Sequence, residues 1–260
     1  MNAPSLRVDG KRVLVTAGAA GIGRAIAATF LDHGARVHIC DIDERALARC
    51  RAELSASQSV ADVSKTADVE RLFADVKREL GGLDVLVNNA GIAGPTARIE
   101  DIALEDWERT LAVDLNSMFY CTRLAMPLIK ASGGGSIINL SSAAGRLGYP
   151  LRTPYSAAKW GAVGFTKSLA MEAGPDKVRV NCIQPGFVEG ERIDRVVEAK
   201  AKARGISAEA QRKELLARVS LRTSVSAQDI ANMALFLASD AGAHVSGQSL
   251  PVDGNVETLS

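Results

Sequence analysis

Tyr155 and Lys159 stand four residues apart, in a segment whose apolar spacing predicts the start of a helix. Residues at that spacing share one helix face, so the phenol and the ammonium would lie side by side. A phenol normally loses its proton near about pH 10, and a neighbouring cation would lower its pKa. Tyr155 could then take a proton from an alcohol or return one to a ketone. The pair alone is common on ordinary helices, so its weight depends on its surroundings.

Ser142 supplies part of that context, because Ser141-Ser142 closes a run at residues 137–140 that is predicted to be a buried strand. Its hydroxyl could hold the oxygen of a substrate. Open α/β sheets bind ligands at the carboxyl ends of their strands, which is where Ser142 would lie. The sequence therefore predicts a catalytic group of Ser142, Tyr155 and Lys159 for acid–base chemistry at a secondary alcohol or ketone.

A glycine-rich turn joins the first predicted strand to the first predicted helix, with the sequence Thr16-Ala17-Gly18-Ala19-Ala20-Gly21-Ile22-Gly23. Its three glycines would let the main chain approach a pyrophosphate, whose charge is favoured at a helix N-terminus. No Gly-Lys-Ser or Gly-Lys-Thr follows, so the turn is not an ATP-type phosphate loop. A glycine-rich turn alone is weak evidence, and its place between a strand and a helix is what favours a dinucleotide.

Asp41 ends the second predicted strand, where an acidic group of a dinucleotide fold accepts hydrogen bonds from the adenosine ribose. Its carboxylate would also repel the additional phosphate of NADP. Neither Ala20 nor Ile42, the nearby positions for a phosphate-binding cation, is basic. The alternative is a solvated Asp that opens a helix. The balance favours NAD as the cofactor.

Short apolar runs alternate with longer helical patterns along the whole chain. The runs lie at residues 13–16, 37–40, 59–62, 85–88, 137–140, 179–183 and 250–252, and the helical patterns at 22–30, 47–54, 69–76, 107–129, 155–171 and 230–237. This alternation predicts a parallel sheet with helices on both faces. No linker or repeat divides residues 1–260, so we expect a single doubly wound α/β domain.

Composition argues against several other function classes. With 31 Lys and Arg residues against 30 Asp and Glu, the net charge is +1, without the basic excess of nucleic-acid-binding proteins. No run reaches the roughly 20 apolar residues of a membrane helix, and the N-terminus lacks a signal-peptide core, so we expect a cytoplasmic protein without membrane partners. Cysteines and histidines show no metal-ligand spacing, so no metal is expected, and the four cysteines should be reduced and mostly buried.

Further motifs make the chain resemble the classical short-chain dehydrogenase/reductase family over about residues 8–254. The glycine turn looks like the family's Thr-Gly-x-x-x-Gly-x-Gly, and Asn88-Asn89-Ala90-Gly91 is similar to its Asn-Asn-Ala-Gly motif. Ser142, Tyr155 and Lys159 have the family's mutual spacing. The resemblance implies a Rossmann fold and an NAD-dependent alcohol dehydrogenase or ketone reductase. It also implies that Lys159 holds the nicotinamide ribose.

The resemblance extends to the cofactor and substrate contacts. Asp62-Val63 resembles the pair that contacts adenine, and Pro185-Gly186 the turn beside nicotinamide. The residues expected to bind the cofactor are Gly18, Ala20, Gly21, Ile22, Gly23, Asp41, Ile42, Asp62, Val63, Asn89, Ala90, Gly91, Tyr155, Lys159, Pro185, Gly186 and Val188. The small-molecule substrate is expected to contact Ser142, Tyr155, Tyr149 and Arg152. The helical patterns at 107–129 and 155–171 suggest, by the same resemblance, a homotetramer.

Three residues depart from the family's pattern. Ala17 replaces its first glycine, which implies a slightly different turn. Asp114 replaces the Asn of the family's catalytic tetrad, whose backbone supports a proton-relay water, so Asp114 is a fourth catalytic candidate with a backbone role at least. Asn116 is a poor substitute, because it is turned by about 200° around the helix. Gly190 replaces a Thr that often contacts the cofactor's carboxamide.

Residues 187–222 correspond to the segment that covers the substrate in the family, and this segment is longer here. Its cationic residues are Arg192, Arg195, Lys200, Lys202, Arg204, Arg212, Lys213 and Arg218. The simpler interpretation is two amphipathic surface helices with inward-facing Ile193, Val196, Val197, Leu215 and Leu216. The alternative is a lid whose arginines, with Arg152 and Tyr149, bind an anionic or hydroxyl-rich substrate such as a sugar, a polyol or a hydroxy or oxo acid.

Two other functions stay open at this point. A sensor or scaffold that binds NAD without turnover would be expected to have a damaged Ser, Tyr and Lys set, which is not seen. An epimerase or a reductase of carbon–carbon double bonds is the second alternative. Hydride transfer to a polarised carbonyl, which needs no thiol or flavin, fits the residues better.

Overall fold

The computed structural model describes residues 6–259, apart from the side chain of Arg192. Within these residues, seven parallel strands form one sheet in the order β3-β2-β1-β4-β5-β6-β7. The strands are β1 Arg12–Thr16, β2 Arg36–Asp41, β3 Ser57–Val60, β4 Val85–Asn88, β5 Gly135–Leu140, β6 Val178–Pro185 and β7 Ser249–Val252. The prediction of a doubly wound parallel sheet is confirmed.

Helices connect these strands and cover both faces of the sheet. They are α1 Gly21–Asp32, α2 Glu44–Glu53, α3 Thr66–Leu80, α4 Leu104–Leu111, α5 Ser117–Ala131, α6 Thr153–Ala173, α7 Glu191–Arg204, α8 Ala208–Ala217 and α9 Ala227–Ala238. On β1, Val13 and Val15 join residues of α1 and α9 in one buried cluster. Leu14 between them joins residues of α3 and α5 in another. Because both faces are covered, the central strands are buried along most of their length, and β1 and β4 contain the continuous apolar runs 13–15 and 85–87.

The order of the strands reverses at β1, which pairs with β2 on one side and with β4 on the other. Open α/β sheets bind ligands at such a point, outside the carboxyl ends of the strands. The segments that follow β1, β2, β4, β5 and β6 all leave the sheet at this edge. Most of the predicted site residues lie on these segments.

The third strand occupies Ser57–Val60, and the prediction of residues 59–62 was shifted toward the C-terminus. The register is set by buried His38 on β2, which lies opposite Ser57. Its ring nitrogens are 2.8 Å from Ser57 Oγ and 2.9 Å from Ser59 Oγ. Asp62 lies beyond the strand, where its backbone N–H donates to the Asp68 carboxylate in the first turn of α3.

The long helix predicted at residues 107–129 is interrupted by a π-helical turn at Ala112–Asn116, between α4 and α5. Such turns occur mostly as local bulges within longer helices and are frequent at functional sites. Here Asp114 is buried, with 1% of its surface exposed, whereas Asn116 is exposed. The bulge therefore brings one carboxylate into the interior.

Residues 187–222 contain the two amphipathic helices of the simpler interpretation, α7 and α8. Val197 and Leu215 are buried in a small apolar cluster against which Tyr155 packs. Within residues 6–259, no helix combines the length and the apolar character needed to cross a bilayer. All four cysteines are buried, as predicted, and burial raises the pKa of Cys40 to about 12 and that of Cys182 to about 11.

Candidate active site

The glycine turn has no room for side chains at two of its positions. A Cβ on Gly18 would lie 2.7 Å from the Cβ of Ile39 on β2, and a Cβ on Gly23 would lie 2.1 Å from the carbonyl oxygen of Ala17. Gly21 has a φ of +52°, with open space around it. Glycine at 18 and 23 thus serves close packing, and glycine at 21 serves the main-chain conformation.

Ala17 adopts a φ of +49°, the left-handed conformation that glycine takes more easily. The turn is therefore held in this conformation even though a glycine is missing. Asn89, after β4, fixes it by donating from its side-chain amide to the carbonyl oxygens of Thr16 at 2.9 Å and Ala17 at 3.1 Å. The backbone N–H groups of Asn89 and Ala90 both donate to Thr16 Oγ1. Sequence reasoning placed Thr16 at the start of the turn but assigned it no role, because its hydrogen bonds reach residues 73 and 74 positions along the chain.

The residues around the start of α1 fit the diphosphate and adenosine ribose of a nicotinamide dinucleotide. Ala20, the N-cap, provides no side-chain acceptor, and the first turn of α1 contains no acidic residue. Unsatisfied N–H groups at a helix start favour an anion, and here they would hold the pyrophosphate. The Asp41 carboxylate accepts from Ala19 N at 3.2 Å and from Asp43 N at 3.1 Å, which fixes it beside the turn. Ile42 next to it is exposed.

Ser142 is the second residue after β5 and caps a short helical turn, with its Oγ accepting from Ala144 N at 3.2 Å. Because the hydroxyl oxygen acts as acceptor in this bond, its proton can be donated to a substrate oxygen. Ser141 beside it is buried and donates from Oγ to the Lys159 carbonyl at 2.8 Å. This bond ties the end of β5 to α6, the helix that contains Tyr155.

Tyr155 and Lys159 share one face of α6, as their spacing predicts. Lys159 Nζ lies 5.5 Å from the centre of the Tyr155 ring and donates to the Leu140 carbonyl at 3.1 Å. Lys159 is buried, and Tyr155 is half-buried against the apolar cluster of α7 and α8. The ammonium is thus held close to the phenol in a site largely screened from water.

Asp114 enters this site through its side chain. Its Oδ1 accepts from Ile92 N at 2.6 Å, and its Oδ2 lies 3.5 Å from Lys159 Nζ. Gly91 leaves the space that the pair needs, because a Cβ there would lie 3.2 Å from Lys159 Nζ and 3.4 Å from Asp114 Oδ1. The side-chain role that the sequence left in doubt is therefore an ion pair with Lys159.

Arg152, at the start of α6, is buried with 2% of its surface exposed. Its guanidinium carbon lies 4.9 Å from the centre of the Tyr155 ring and 5.2 Å from that of Tyr149, and NH2 donates to the Ala93 carbonyl. Lys200 on α7 places its Nζ 4.0 Å from the centre of the Tyr149 ring. The structure thus joins Tyr149 and Arg152 to Tyr155, as predicted. It adds Lys200, which sequence reasoning did not single out.

The remaining residues predicted to bind the cofactor lie at the same edge of the sheet, where they interact with other residues of the chain. Asp62 accepts from Ser64 and forms ion pairs with Lys65 at 3.6 Å and Arg109 at 3.7 Å, while Val63 is buried. Pro185 is buried at the end of β6, and Val188 pairs with Val225 in an isolated bridge.

At two positions near the end of β6, the structure explains why glycine is present. A Cβ on Gly186 would lie 2.5 Å from the Cβ of Asp253. Gly190 has a φ of +128° and is the N-cap of α7. That φ explains the departure at Gly190, because the main chain there takes a conformation that Thr rarely adopts. The side chain of Arg192, one of the cations of the predicted lid, lies outside the described part of the chain.

Comparisons with known proteins agree with this geometry. A family model described as "Enoyl-(Acyl carrier protein) reductase" matches residues 17–256. The chain is 36% identical to D-beta-hydroxybutyrate dehydrogenase of Cupriavidus necator, over 95% of this chain and 98% of that protein. It is 37% identical to the probable galactose dehydrogenase of Rhizobium meliloti, over 97% and 96%. The structure of 7α-hydroxysteroid dehydrogenase with NADH and 7-oxoglycochenodeoxycholic acid superposes with a TM-score of 0.90, at 32% identity and full coverage of both chains.

The chain belongs to the short-chain dehydrogenase/reductase family, with the Rossmann fold that the sequence predicted. These similarities support an oxidoreductase that uses a nicotinamide cofactor and acts as an alcohol dehydrogenase or ketone reductase. None of them favours the non-catalytic sensor or scaffold.

Proposed function

We propose that the protein interconverts a secondary alcohol and the matching ketone with NAD, using Tyr155 as the acid/base. The observation that supports this most directly is the buried Lys159 ammonium beside the Tyr155 ring, at the edge of the sheet where the dinucleotide turn lies. NAD, when bound, supplies the hydride acceptor, and its reduced form the donor. Residues of the chain orient the substrate and transfer the proton.

Three residues share the proton and orientation steps. The Ser142 hydroxyl donates a hydrogen bond to the substrate oxygen and so holds this oxygen close to Tyr155. The Tyr155 phenolate takes the hydroxyl proton when an alcohol is oxidised and returns a proton to the oxygen when a ketone is reduced. Lys159 stabilises the phenolate by its positive charge, and its ammonium would also hold the nicotinamide ribose hydroxyls.

A Tyr155→Phe variant tests the assigned base. We expect kcat to fall by roughly 10²–10⁴ in NADH absorbance assays with sugars, polyols, hydroxy acids and aromatic alcohols. NAD affinity should fall much less than kcat, because the variant loses only the hydroxyl and keeps the ring. Tyr120→Phe, a half-buried tyrosine on α5, is the matched control and should retain full turnover. Full turnover by Tyr155→Phe would refute the mechanism.

The proposed preference for NAD over NADP rests on the Asp41 carboxylate, fixed beside the turn with Ile42 exposed next to it. In the double variant Asp41→Ser, Ile42→Arg, the repelling charge is replaced by a cation that can bind a phosphate. We expect its ratio of kcat/KM for NADP to that for NAD to rise by at least roughly a hundredfold. A wild type that already uses both cofactors equally would contradict the assignment.

We assign Asp114 a positioning role, through its ion pair with Lys159 and its bond to Ile92 N. Asp114→Asn keeps the shape but removes a negative charge near the ammonium, so the phenolate of Tyr155 is favoured more strongly. The acid limb of the kcat/KM profile should then move to lower pH, whereas Asp114→Leu should lose activity at every pH. A profile that does not move in Asp114→Asn would mean that the carboxylate only fills space.

A second candidate activity is reduction of a carbon–carbon double bond, which the description of the matching family model favours. A crotonyl thioester and its 3-oxo counterpart, each offered with NADH, distinguish the two. Turnover of the 3-oxo compound alone supports carbonyl chemistry, and turnover of the crotonyl compound alone supports the second candidate.

We further propose a homotetramer, because Phe119 on α5 and Trp160 on α6 are each 51% exposed. Phe119 and Gly161, the residue after Trp160, belong to one surface recess, which is lined by Leu115, Asn116, Phe119, Tyr120, Gly161 and Phe165. Such an apolar patch is typical of an interface. Light scattering should give four times the chain mass, and Phe119→Asp should reduce it. A monomeric wild type would refute the proposal.

A further inference from the structure

Two cationic side chains from separate elements both contact the ring of Tyr149, and one of them also contacts the reacting tyrosine. Arg152 comes from the start of α6 and Lys200 from the middle of α7, and both lie within 5.2 Å of the centre of the Tyr149 ring. Arg152 also lies 4.9 Å from the centre of the Tyr155 ring. The two tyrosine rings therefore present the positive charges next to the place where the substrate oxygen must bind.

Among the described residues, the charged groups that act most on Lys200 are all cationic. Burial, together with the smaller effect of the charges of Arg152, Arg218 and Arg204, lowers the pKa of Lys200 to about 8. Arg204 on the same helix is paired with Glu214 at 2.6 Å, and the Leu259 carbonyl lies 3.4 Å from Lys200 Nζ. A half-buried ammonium crowded by like charges is stabilised by an anion. The substrate must bind next to this region, so the anion is best supplied by the substrate itself.

We propose that Arg152 and Lys200 bind the carboxylate of a hydroxy-acid or oxo-acid substrate next to Tyr155. This inference rests on the function proposed above and narrows its substrate class. Arg152 provides hydrogen-bond donors in a fixed planar arrangement that suits a carboxylate, and Lys200 provides a second charge from the covering helix. An anion between them joins α7 to the start of α6 and so closes the covering segment over the substrate.

The first experiment compares matched acids and neutral analogues. The pairs are 3-hydroxybutyrate with its methyl ester, and galacturonate with galactose, each with NAD. In the wild type we expect kcat/KM for the acid of at least one pair to exceed that of its neutral partner by at least roughly tenfold. If Tyr155 supports turnover of the neutral members at the same rate or faster, the carboxylate site is refuted and the alcohol dehydrogenase is not.

Substitutions at Lys200 test binding with little effect on folding, because Lys200 is half-buried. Arg152 is fully buried, so its substitution should disturb the fold more. Lys200→Met should raise KM for the acid by roughly ten- to a hundredfold and change kcat little, while leaving the neutral partner unaffected. Arg152→Lys should retain part of the preference and Arg152→Met should lose it. Lys202→Met removes the same charge from an exposed position of α7 and is the matched control, for which no change is expected.

The pH dependence gives an independent signature. Lys200 is protonated below about pH 8, so KM for the acid should rise severalfold between about pH 7 and pH 9.5. KM for the neutral partner should stay flat. Lys200→Arg should abolish the rise while keeping a low KM, because a guanidinium keeps its charge. A rise that persists in Lys200→Arg would contradict the assignment of the titrating group.

A binding measurement makes the proposal testable even if none of these four compounds is turned over. The NAD-loaded protein is titrated calorimetrically with butyrate and with butyramide. We expect butyrate to bind at least roughly tenfold more tightly in the wild type and equally in Lys200→Met. Equal binding of the two by the wild type would overturn the carboxylate site, and turnover of neutral alcohols would then still support the dehydrogenase.

Discussion

The glycine turn and the covering segment at residues 187–222 line the same site, but different interactions determine their structures. In the turn, main-chain atoms do the work: Gly18 and Gly23 are packed against neighbouring atoms, and Asn89 ties the turn to β4. In the covering segment, half-exposed helices pack through a small apolar cluster and also carry long charged side chains. The cofactor end is thus constrained by backbone geometry, whereas the substrate end is determined by a few exchangeable side chains.

The largest effect that separates the two regions should come from adding one methyl group to the turn. A Cβ on Gly23 would lie 2.1 Å from a backbone oxygen, so Gly23→Ala must displace α1 or the turn. We expect a loss of about 3 kcal/mol in the free energy of unfolding and at least roughly a hundredfold loss in kcat/KM for NAD. Urea denaturation and NADH absorbance measure the two quantities.

The matched change in the covering segment is Gly205→Ala, just after α7. Gly205 has a φ of +67° and open space around it, so only conformational strain of about 1 kcal/mol is expected, with unchanged NAD kinetics. If both variants lowered kcat/KM for NAD equally, the contrast between the regions would be wrong.

The difference between the regions also decides what could be predicted from sequence. The turn, Asp41, and the helix face shared by Tyr155 and Lys159 follow from local spacing, because each is defined by residues close together in the chain. The approach of Lys200 to Tyr149 could not be predicted, since it depends on the angle at which α7 crosses the site. The Asp114–Lys159 pair depends on the π-helical turn at Ala112–Asn116, which leaves no periodic signal. The start of β3 was misplaced because Ser57 is polar, and its partner His38 lies on another strand.

A second prediction concerns His38, which lies in the cofactor half between Ser57 and Ser59. Burial lowers its pKa from 6.5 to about 4, although Asp75 and Glu79 partly oppose the change. The folded state therefore favours the neutral ring, so this stability is complete above pH 6.5 and is lost as the pH falls toward 4. Between pH 7.5 and pH 5 the loss should be about 2 kcal/mol.

Chemical denaturation at the two pH values, in wild type and His38→Gln, measures this term as the difference between their pH dependences. The same shift in both proteins would show that other groups are responsible.

A smaller effect is expected at Ala17, the departure from the family's glycine. Its left-handed φ of +49° is strained for a residue with a Cβ, by about 1–2 kcal/mol, while a glycine would lose somewhat more entropy on folding. Ala17→Gly should therefore stabilise the protein by up to about 1 kcal/mol and leave NAD kinetics intact. A lower thermal midpoint for the variant would mean that the alanine methyl makes contacts that outweigh the strain.

The smallest effect should come from the ion pair between Arg212 on α8 and Asp194 on α7. Both side chains are nearly half exposed, at 44% and 48%, so water screens their attraction, and Arg212→Ala should change the free energy of unfolding by less than about 1 kcal/mol. In the cofactor half, Arg12 binds Asp84 at 2.8 Å with both side chains mostly buried, and also donates to Ser132. Arg12→Ala should therefore destabilise the protein more. If the exposed pair proved the stronger one, α7 and α8 would be held by charge instead of by the apolar contacts of Val197 and Leu215.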